Sequence, residues 1–276
     1  SRSHTFSHLL IHTSQRHTSL ARDRMSASLT ACCLAFAPRV PPPRAAAPSS
    51  SPPLDPPLPV WQKQAAAMWV SAAALGPLCD SRHSAHDVLH YATDSIAGAP
   101  FLLRGTDGAA IFETHWWVPI AFGGAGVILG AAHPALDRAW GGGPRPPPGW
   151  PAVLLSISCF VLCYELSGVL AQAAVASGAP REIGQLDVPL LVNAAAIFLI
   201  FERSWGGLFM MVLLATIGPA VETQLIGALH LYAYSDPDVA GIPTWIAWVC
   251  AAGGPPNGAL GRQILHELNL REQMKS

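Results

Sequence analysis

The chain has 276 residues, of which 51% are hydrophobic and only 12% are charged. Soluble domains carry about 25% charged residues, so this composition, with a mean hydropathy of +0.33, favours a polytopic membrane protein. The formal net charge of −1 supplies no basic field for a nucleic acid, and that class of partner is excluded.

Residues 1–60 differ from the rest in composition. They are rich in Arg and Ser, contain only Asp23 and Asp55 as acidic residues, and include a proline-rich run over 38–59. Proline fixes φ and removes a donor, so this run is predicted to be neither helix nor strand. An Arg- and Ser-rich, acid-poor N-terminus is typical of a transit peptide, and a plain disordered arm fits equally well.

Five segments are predicted to cross a membrane, because about 20 apolar residues suffice for a helix to do so. They are 116–132, 152–175, 188–201, 205–232 and 242–261, the fourth interrupted by Pro219 and Glu222. A weaker candidate, 65–79, is a thin first span or the apolar part of a targeting signal. We therefore predict an all-α fold, a polytopic membrane bundle of about six transmembrane helices, with the five strong spans forming the region 116–264. Residues 61–115 hold the weak span and a loop, and 265–276 form a cytosolic tail.

The last segment contains an internal break. The sequence Gly-Gly-Pro-Pro-Asn at 253–257 interrupts its apolar run, which ends on Arg262. An interrupted helix is tolerated in lipid only where neighbours satisfy the freed backbone groups, so this segment is predicted to pack inside the bundle. If the five strong spans alternate, one side collects nearly all basic residues, and the positive-inside rule places the C-terminus in the cytosol.

Two small-residue or thiol patterns are assigned to packing. Gly126 and Gly130 have the G-x-x-x-G spacing that lets another helix approach closely, whereas a nucleotide loop would need a different glycine spacing after a strand. Cys159 and Cys163 share one helix face and are expected to be small apolar packing groups.

Polar residues in and near the spans have two interpretations each. His83, His86 and His90 with Asp87 could gather as metal ligands, but solvated loop histidines are favoured and no metal is expected. Glu165 and Glu222 could form a proton or ion path, although hydrogen-bonded packing is favoured. No pairing of nucleophile and base is visible, so we expect a protein without enzymatic activity and without a cofactor.

The region from about Ile111 to Ile264 resembles the insulin-induced protein (Insig) family. Four blocks carry the resemblance, and they occur in the family's order: IFETHWWVPIAFGGAG, LIFERSWGGL, ETQLIGALHLYAYSDPD and WIAWVCAAGGPPNGALGRQI. The resemblance implies a six-span protein of the endoplasmic reticulum with both termini cytosolic. It implies binding of oxysterols in the bundle and control of membrane partners with sterol-sensing domains: retention of the SREBP cleavage-activating protein and degradation of HMG-CoA reductase.

Site residues follow from the same resemblance. Phe160, Gln185 and Phe198 fall on sterol-pocket positions, and flat apolar walls with a few polar groups suit such a ligand. Glu202 and Arg203 fall on a corner that docks the partner, where the family has Asp instead of Glu.

We therefore expect an integral membrane regulator of sterol homeostasis. The transit-like N-terminus keeps open an alternative, a chloroplast membrane scaffold or assembly factor with the same fold and no sterol binding. A small transporter that uses Glu165 and Glu222 is least favoured, since no inverted repeat is evident.

Overall fold

The computed structural model describes residues 58–274 apart from 107, 109, 142 and 179–181. The described residues form seven helical segments. They are α1 (Leu58–Ala85), α2 (Trp117–Gly141), α3 (Trp150–Ala176), α4 (Asp187–Phe201), α5 (Trp205–Gly227), α6 (Ile246–Ala252) and α7 (Gly254–Gln273). The N-terminal arm lies outside the described residues except for its last three.

Three of the helices are long and apolar enough to cross a membrane: Trp117–Trp140 within α2, α3 and α5. Helix α4 is apolar but shorter. The prediction of an all-α, polytopic membrane bundle is confirmed, while the number of six spans stays a prediction.

Two small antiparallel sheets connect the helices, and the sequence analysis did not predict them. Strand β1 (Leu89–Tyr91) pairs with β4 (Tyr232–Tyr234), and β2 (Phe101–Arg104) pairs with β3 (Ala110–Thr114). Each strand has only three to five residues, which is too few for a clear alternation of apolar and polar residues in the sequence. The segment expected to be a loop over 80–115 therefore contains the end of α1 and three strands.

The predicted bounds need correction at several helices. The weak span over 65–79 is the middle of α1, a helix of 28 residues. This helix begins inside the proline-rich run, which is possible because proline is well tolerated in the first turn of a helix. Pro219 does not break α5. That helix ends at Gly227, and the apolar residues that follow it continue into β4.

Small residues set the closest helix approach in the bundle. A Cβ at Gly126 would lie 2.3 Å from the Ala72 Cβ of α1, and a Cβ at Gly261 of α7 would lie 2.5 Å from the Gly130 carbonyl oxygen. Buried Gln64 donates to the carbonyl oxygens of both Gly130 and Gly261, at 3.2 and 3.1 Å. The packing role predicted for Gly126 and Gly130 is confirmed, and it holds α1, α2 and α7 together.

The break in the last segment is a single residue, Gly253, between α6 and α7. All residues from Ala251 to Pro256 are buried, as predicted for a packed member of the bundle. Pro255 sits at the start of α7, and the Asn257 side chain donates to the Gly253 carbonyl oxygen at 2.8 Å. The helix does not stop at Arg262 but continues to Gln273, so most of the predicted tail is helical.

Candidate functional site

Phe160 lies beside the break in the last segment. A Cβ at Gly253 would lie 3.2 Å from the Phe160 ring, and the ring also packs edge-on against Tyr164 with centroids 5.3 Å apart. Phe160 lines a small cavity with side chains of α1, α2, α3 and α7, among them Phe122, Asn257 and Leu260. This cavity has a volume of about 50 Å³, whereas pockets for drug-sized ligands have about 300–1,000 Å³. A sterol would enter here only if the helices moved apart.

The other two residues of the expected sterol site lie elsewhere. Gln185 is exposed in the turn before α4. Phe198 is half-buried near the far end of α4, about 16 Å along the axis from Asp187 at the helical rise. The structure does not bring Phe160, Gln185 and Phe198 into one closed cavity, and their role in sterol binding stays a prediction.

Glu202 belongs to a buried charge cluster formed by Asp137, Arg145, Glu202 and Arg262. The Arg262 guanidinium donates to both Glu202 carboxylate oxygens at 2.7 and 3.0 Å, and Arg145 donates to Glu202 Oε1 at 2.7 Å and to its backbone oxygen at 2.9 Å. The Ser204 hydroxyl also donates to Glu202 Oε1. Because the Glu202 side chain is fully buried, it is not presented to a partner as expected.

The charge cluster keeps Glu202 ionised. Burial by itself would raise the pKa of Glu202, but the hydrogen bonds and charge of Arg262, with the Ser204 hydroxyl, outweigh it and hold the pKa below its ordinary value of 4.5. A charged group is stable in such a site only when partners and hydrogen bonds repay its desolvation. The cluster joins the end of α2, the turn between α4 and α5, and α7.

Two exposed residues form the outer surface at the turn between α4 and α5: Arg203 lies in the turn, and Trp205 is the first residue of α5. Arg203 has a left-handed backbone with φ of 55°, and its side chain donates back to the Leu199 carbonyl oxygen. Ser204 caps α5 by accepting from the Gly207 N–H at 2.9 Å. The outward face of this corner is therefore Arg203 and Trp205, with Glu202 fixing it from inside.

Glu222 is a hydrogen-bonded packing residue, as the sequence analysis favoured. The Tyr234 hydroxyl donates to Glu222 Oε2 at 2.7 Å, and the Tyr91 hydroxyl of the paired strand donates to Asp80 Oδ2 at 2.9 Å. Burial, followed by the neighbouring carboxylates, raises the pKa of both phenols, so both tyrosines remain donors.

The histidine cluster is not the solvated loop that was expected. His83 is buried in α1 and contacts Ser167 Oγ at 2.8 Å, His86 contacts Glu165 Oε1 at 2.8 Å, and only His90 is exposed. Among the described residues, no group of three or more His, Cys, Asp or Glu side chains could hold a metal ion. His83 and His86 thus both pair with side chains of α3, whereas His90 contacts Ser235 Oγ at 2.8 Å.

The contact between His83 and Ser167 was not predicted from the sequence. Ser167 Oγ donates to the Tyr164 carbonyl oxygen at 2.9 Å, so His83 Nε2–H is the donor in the pair, and the serine has no free proton for His83 to accept. Both side chains are buried. The pair is therefore an internal hydrogen bond between α1 and α3. Cys159 and Cys163 are both buried, in line with their predicted packing role.

No family model matches the chain, but the chain is similar in sequence to insulin-induced gene proteins. The chain is 28% identical over 156 residues to the insulin-induced gene 1 protein of Bos taurus, covering 56% of this chain and 53% of the bovine protein. It is 28% identical over 155 residues to the insulin-induced gene 2 protein of Gallus gallus, covering 56% and 65%. The chain thus spans between half and two thirds of these relatives' lengths.

A solved structure shares the fold. The Insig homolog from Mycobacterium vanbaalenii superposes with a TM-score of 0.56 at 20% identity, over 73% of this chain and 93% of that one. The apolar helices and their packing define a polytopic helical membrane protein. In sequence the chain is similar to the insulin-induced gene proteins, and in fold it is similar to the mycobacterial Insig homolog, in agreement with the resemblance of its four sequence blocks.

Proposed function

We propose that this protein is a non-enzymatic membrane regulator of sterol homeostasis, which binds a sterol or related lipid between its helices and thereby controls a membrane partner. Its similarity in sequence to the insulin-induced gene proteins supports the regulatory role. The observation that carries the mechanism is the position of Phe160 against Gly253, the one non-helical residue between α6 and α7.

A ligand that enters beside Phe160 acts on a helix that also carries Arg262. Arg262 lies about 12 Å along α7 from Gly254 at the helical rise, and it holds Glu202 in the turn between α4 and α5. Displacement at Gly253 therefore changes the position of Arg262 and, through it, the corner that exposes Arg203 and Trp205. A ligand that favours one of two arrangements shifts the partner's affinity in this way.

The first experiment measures lipid binding. Purified protein in nanodiscs is titrated with tritium-labelled 25-hydroxycholesterol, and saturable binding is expected. Phe160→Ala should weaken it by removing an aromatic wall, and Gln185→Ala and Phe198→Ala test the two residues assigned from the resemblance. Phe209→Ala is the matched control, since Phe209 lies on α5 against Trp140, away from the Phe160 cavity.

Absence of saturable binding across hydroxysterols, sterols and isoprenoid lipids would overturn the sterol part of the proposal. Equal weakening by Phe160→Ala and Phe209→Ala would show that binding does not involve the Phe160 cavity.

Partner control is tested at Arg203 and Trp205. Co-purification of a sterol-sensing-domain protein with this chain should depend on 25-hydroxycholesterol and should be lost in Arg203→Glu, while lipid binding by that variant is unchanged.

We propose residence in the endoplasmic reticulum, and a C-terminal fluorescent reporter should give a reticular pattern. Plastid targeting that depends on residues 25–60 would favour the scaffold instead.

A further inference from the structure

A second and larger cavity lies at the end of α3 that is remote from the charge cluster. Its volume is about 190 Å³, a little above the ~150 Å³ of an apolar cavity that holds benzene. Its buried walls include Ala171 of α3, Val88, Pro243 and Trp245. Val175, which is 60% exposed on the apolar α3, lies at its rim. A molecule of roughly ten heavy atoms fits this volume.

One buried donor in the wall lacks an acceptor. Trp245 is 2% exposed, and its Nε1–H has no hydrogen-bond partner among the described residues. Leaving such a donor unpaired is unfavourable, and the indole nitrogen can only donate. A ligand that satisfies Trp245 must therefore present an oxygen acceptor.

The charged groups of the cavity restrict the ligand further. Its rim carries the carboxylates of Asp87 and Asp236, and its polar wall carries His86 and Gln172, which contact each other at 3.3 Å. Within the described part of the chain, no Lys or Arg side chain lines it. The exposed Asp87 carboxylate at the rim disfavours fatty-acid carboxylates and phosphates through like-charge repulsion.

We propose that this cavity binds the oxygen-bearing end of a small neutral amphiphile, with Trp245 Nε1–H donating to the hydroxyl or carbonyl oxygen and Ala171 and Pro243 covering the apolar chain. A primary alcohol of about eight carbons is the simplest ligand of this class. The site is separate from the Phe160 cavity, with which it shares no lining residue, and it does not depend on sterol binding.

Photolabelling of the full chain in nanodiscs with a diazirine analogue of octan-1-ol tests the site. We expect saturable labelling on peptides around Ala171–Val175 and Pro243–Trp245, with protection by excess octan-1-ol and much weaker protection by octanoate or octylamine. Trp245→Phe keeps an aromatic, though smaller, side chain and removes the indole N–H donor, and it should raise the half-protecting octan-1-ol concentration about fivefold, the factor of one hydrogen bond. Trp140→Phe, at a tryptophan that is 54% exposed and lines neither cavity, should leave it unchanged.

Ala171→Leu provides a second test that does not alter Trp245. The larger side chain fills part of the cavity and should abolish labelling there, while binding of 25-hydroxycholesterol stays as in the unsubstituted protein. Labelling that is unsaturable or maps outside the cavity, equal protection by octanoate, or no effect of either substitution would overturn the proposal. Stronger protection by octylamine would overturn the neutral class of ligand.

Discussion

Arg262 donates to both carboxylate oxygens of Asp137, through Nε at 2.6 Å and Nη2 at 3.0 Å, although 125 residues separate them in the chain. Two parallel bonds between a guanidinium and a carboxylate fix orientation as well as distance. Both side chains are nearly fully buried, so this pair locks α7 to α2 while the remaining donors of Arg262 hold Glu202.

Arg262→Met should destabilise the protein strongly. Removing one partner of a buried ion pair leaves an uncompensated charge, which costs about 3–5 kcal/mol. Asp137→Leu combined with Arg262→Met should recover part of this loss, because Asp137 is then no longer unpaired. The melting temperatures of the single and the double variant are measured by thermal unfolding of the detergent-solubilised proteins. Lys63→Met, at the exposed pair with Glu272, is the control and should change the melting temperature little. Equal shifts for Lys63→Met and Arg262→Met would contradict this account.

Stability should fall in acid through Glu202. Because the folded-state pKa of Glu202 lies below its ordinary value of 4.5, its contribution is fully present above pH 4.5 and is lost as the pH falls through the lower, folded-state pKa. The melting temperature of the unsubstituted protein should therefore approach that of Glu202→Gln as the pH falls below 4.5 and through the folded-state pKa. Parallel pH profiles for the two proteins would exclude Glu202 as the responsible group.

Gly126→Ala should destabilise the α1–α2 contact. Its Cβ would lie 2.3 Å from the Ala72 Cβ and 3.1 Å from the Met68 carbonyl oxygen, so the helices must separate, at a cost of about 1–3 kcal/mol. Gly124→Ala is the matched control on the same helix, because no atom lies within 4 Å of its added Cβ. Its melting temperature should be unchanged or slightly higher. A lower value for Gly124→Ala than for Gly126→Ala would be inconsistent with this packing.

Glu222→Leu should destabilise more than Glu222→Gln. The Tyr234 hydroxyl needs an acceptor, which glutamine keeps and leucine removes, and a buried unsatisfied hydroxyl costs about 1–3 kcal/mol. Tyr234→Phe combined with Glu222→Leu should recover part of the loss. If Glu222→Gln instead abolished a proton flux in proteoliposomes while leaving stability intact, a transport role for Glu222 would replace the packing role.

Several features could be predicted from local sequence because they depend on residues close together in the chain. The apolar runs over 152–175 and 188–201 define α3 and α4 almost to the residue, since helix periodicity and length are local properties. The spacing of Gly126 and Gly130 likewise indicates a close helix contact. The Gly-Pro break at 253–257 indicates a packed helix, since lipid offers its freed backbone groups no partner.

Tertiary structure alone decided the partners of the polar residues. Arg262 looked like the end of a span and Glu202 like an exposed corner, yet packing of α2, α7 and the α4–α5 turn places them in one buried cluster with Asp137. His83, Glu222 and Trp245 similarly acquire their hydrogen-bonding state from distant segments. Hydrophobicity fixes where helices form and which segments avoid water, but the energy of a buried charge or donor depends on which groups from elsewhere in the chain lie within about 3 Å of it.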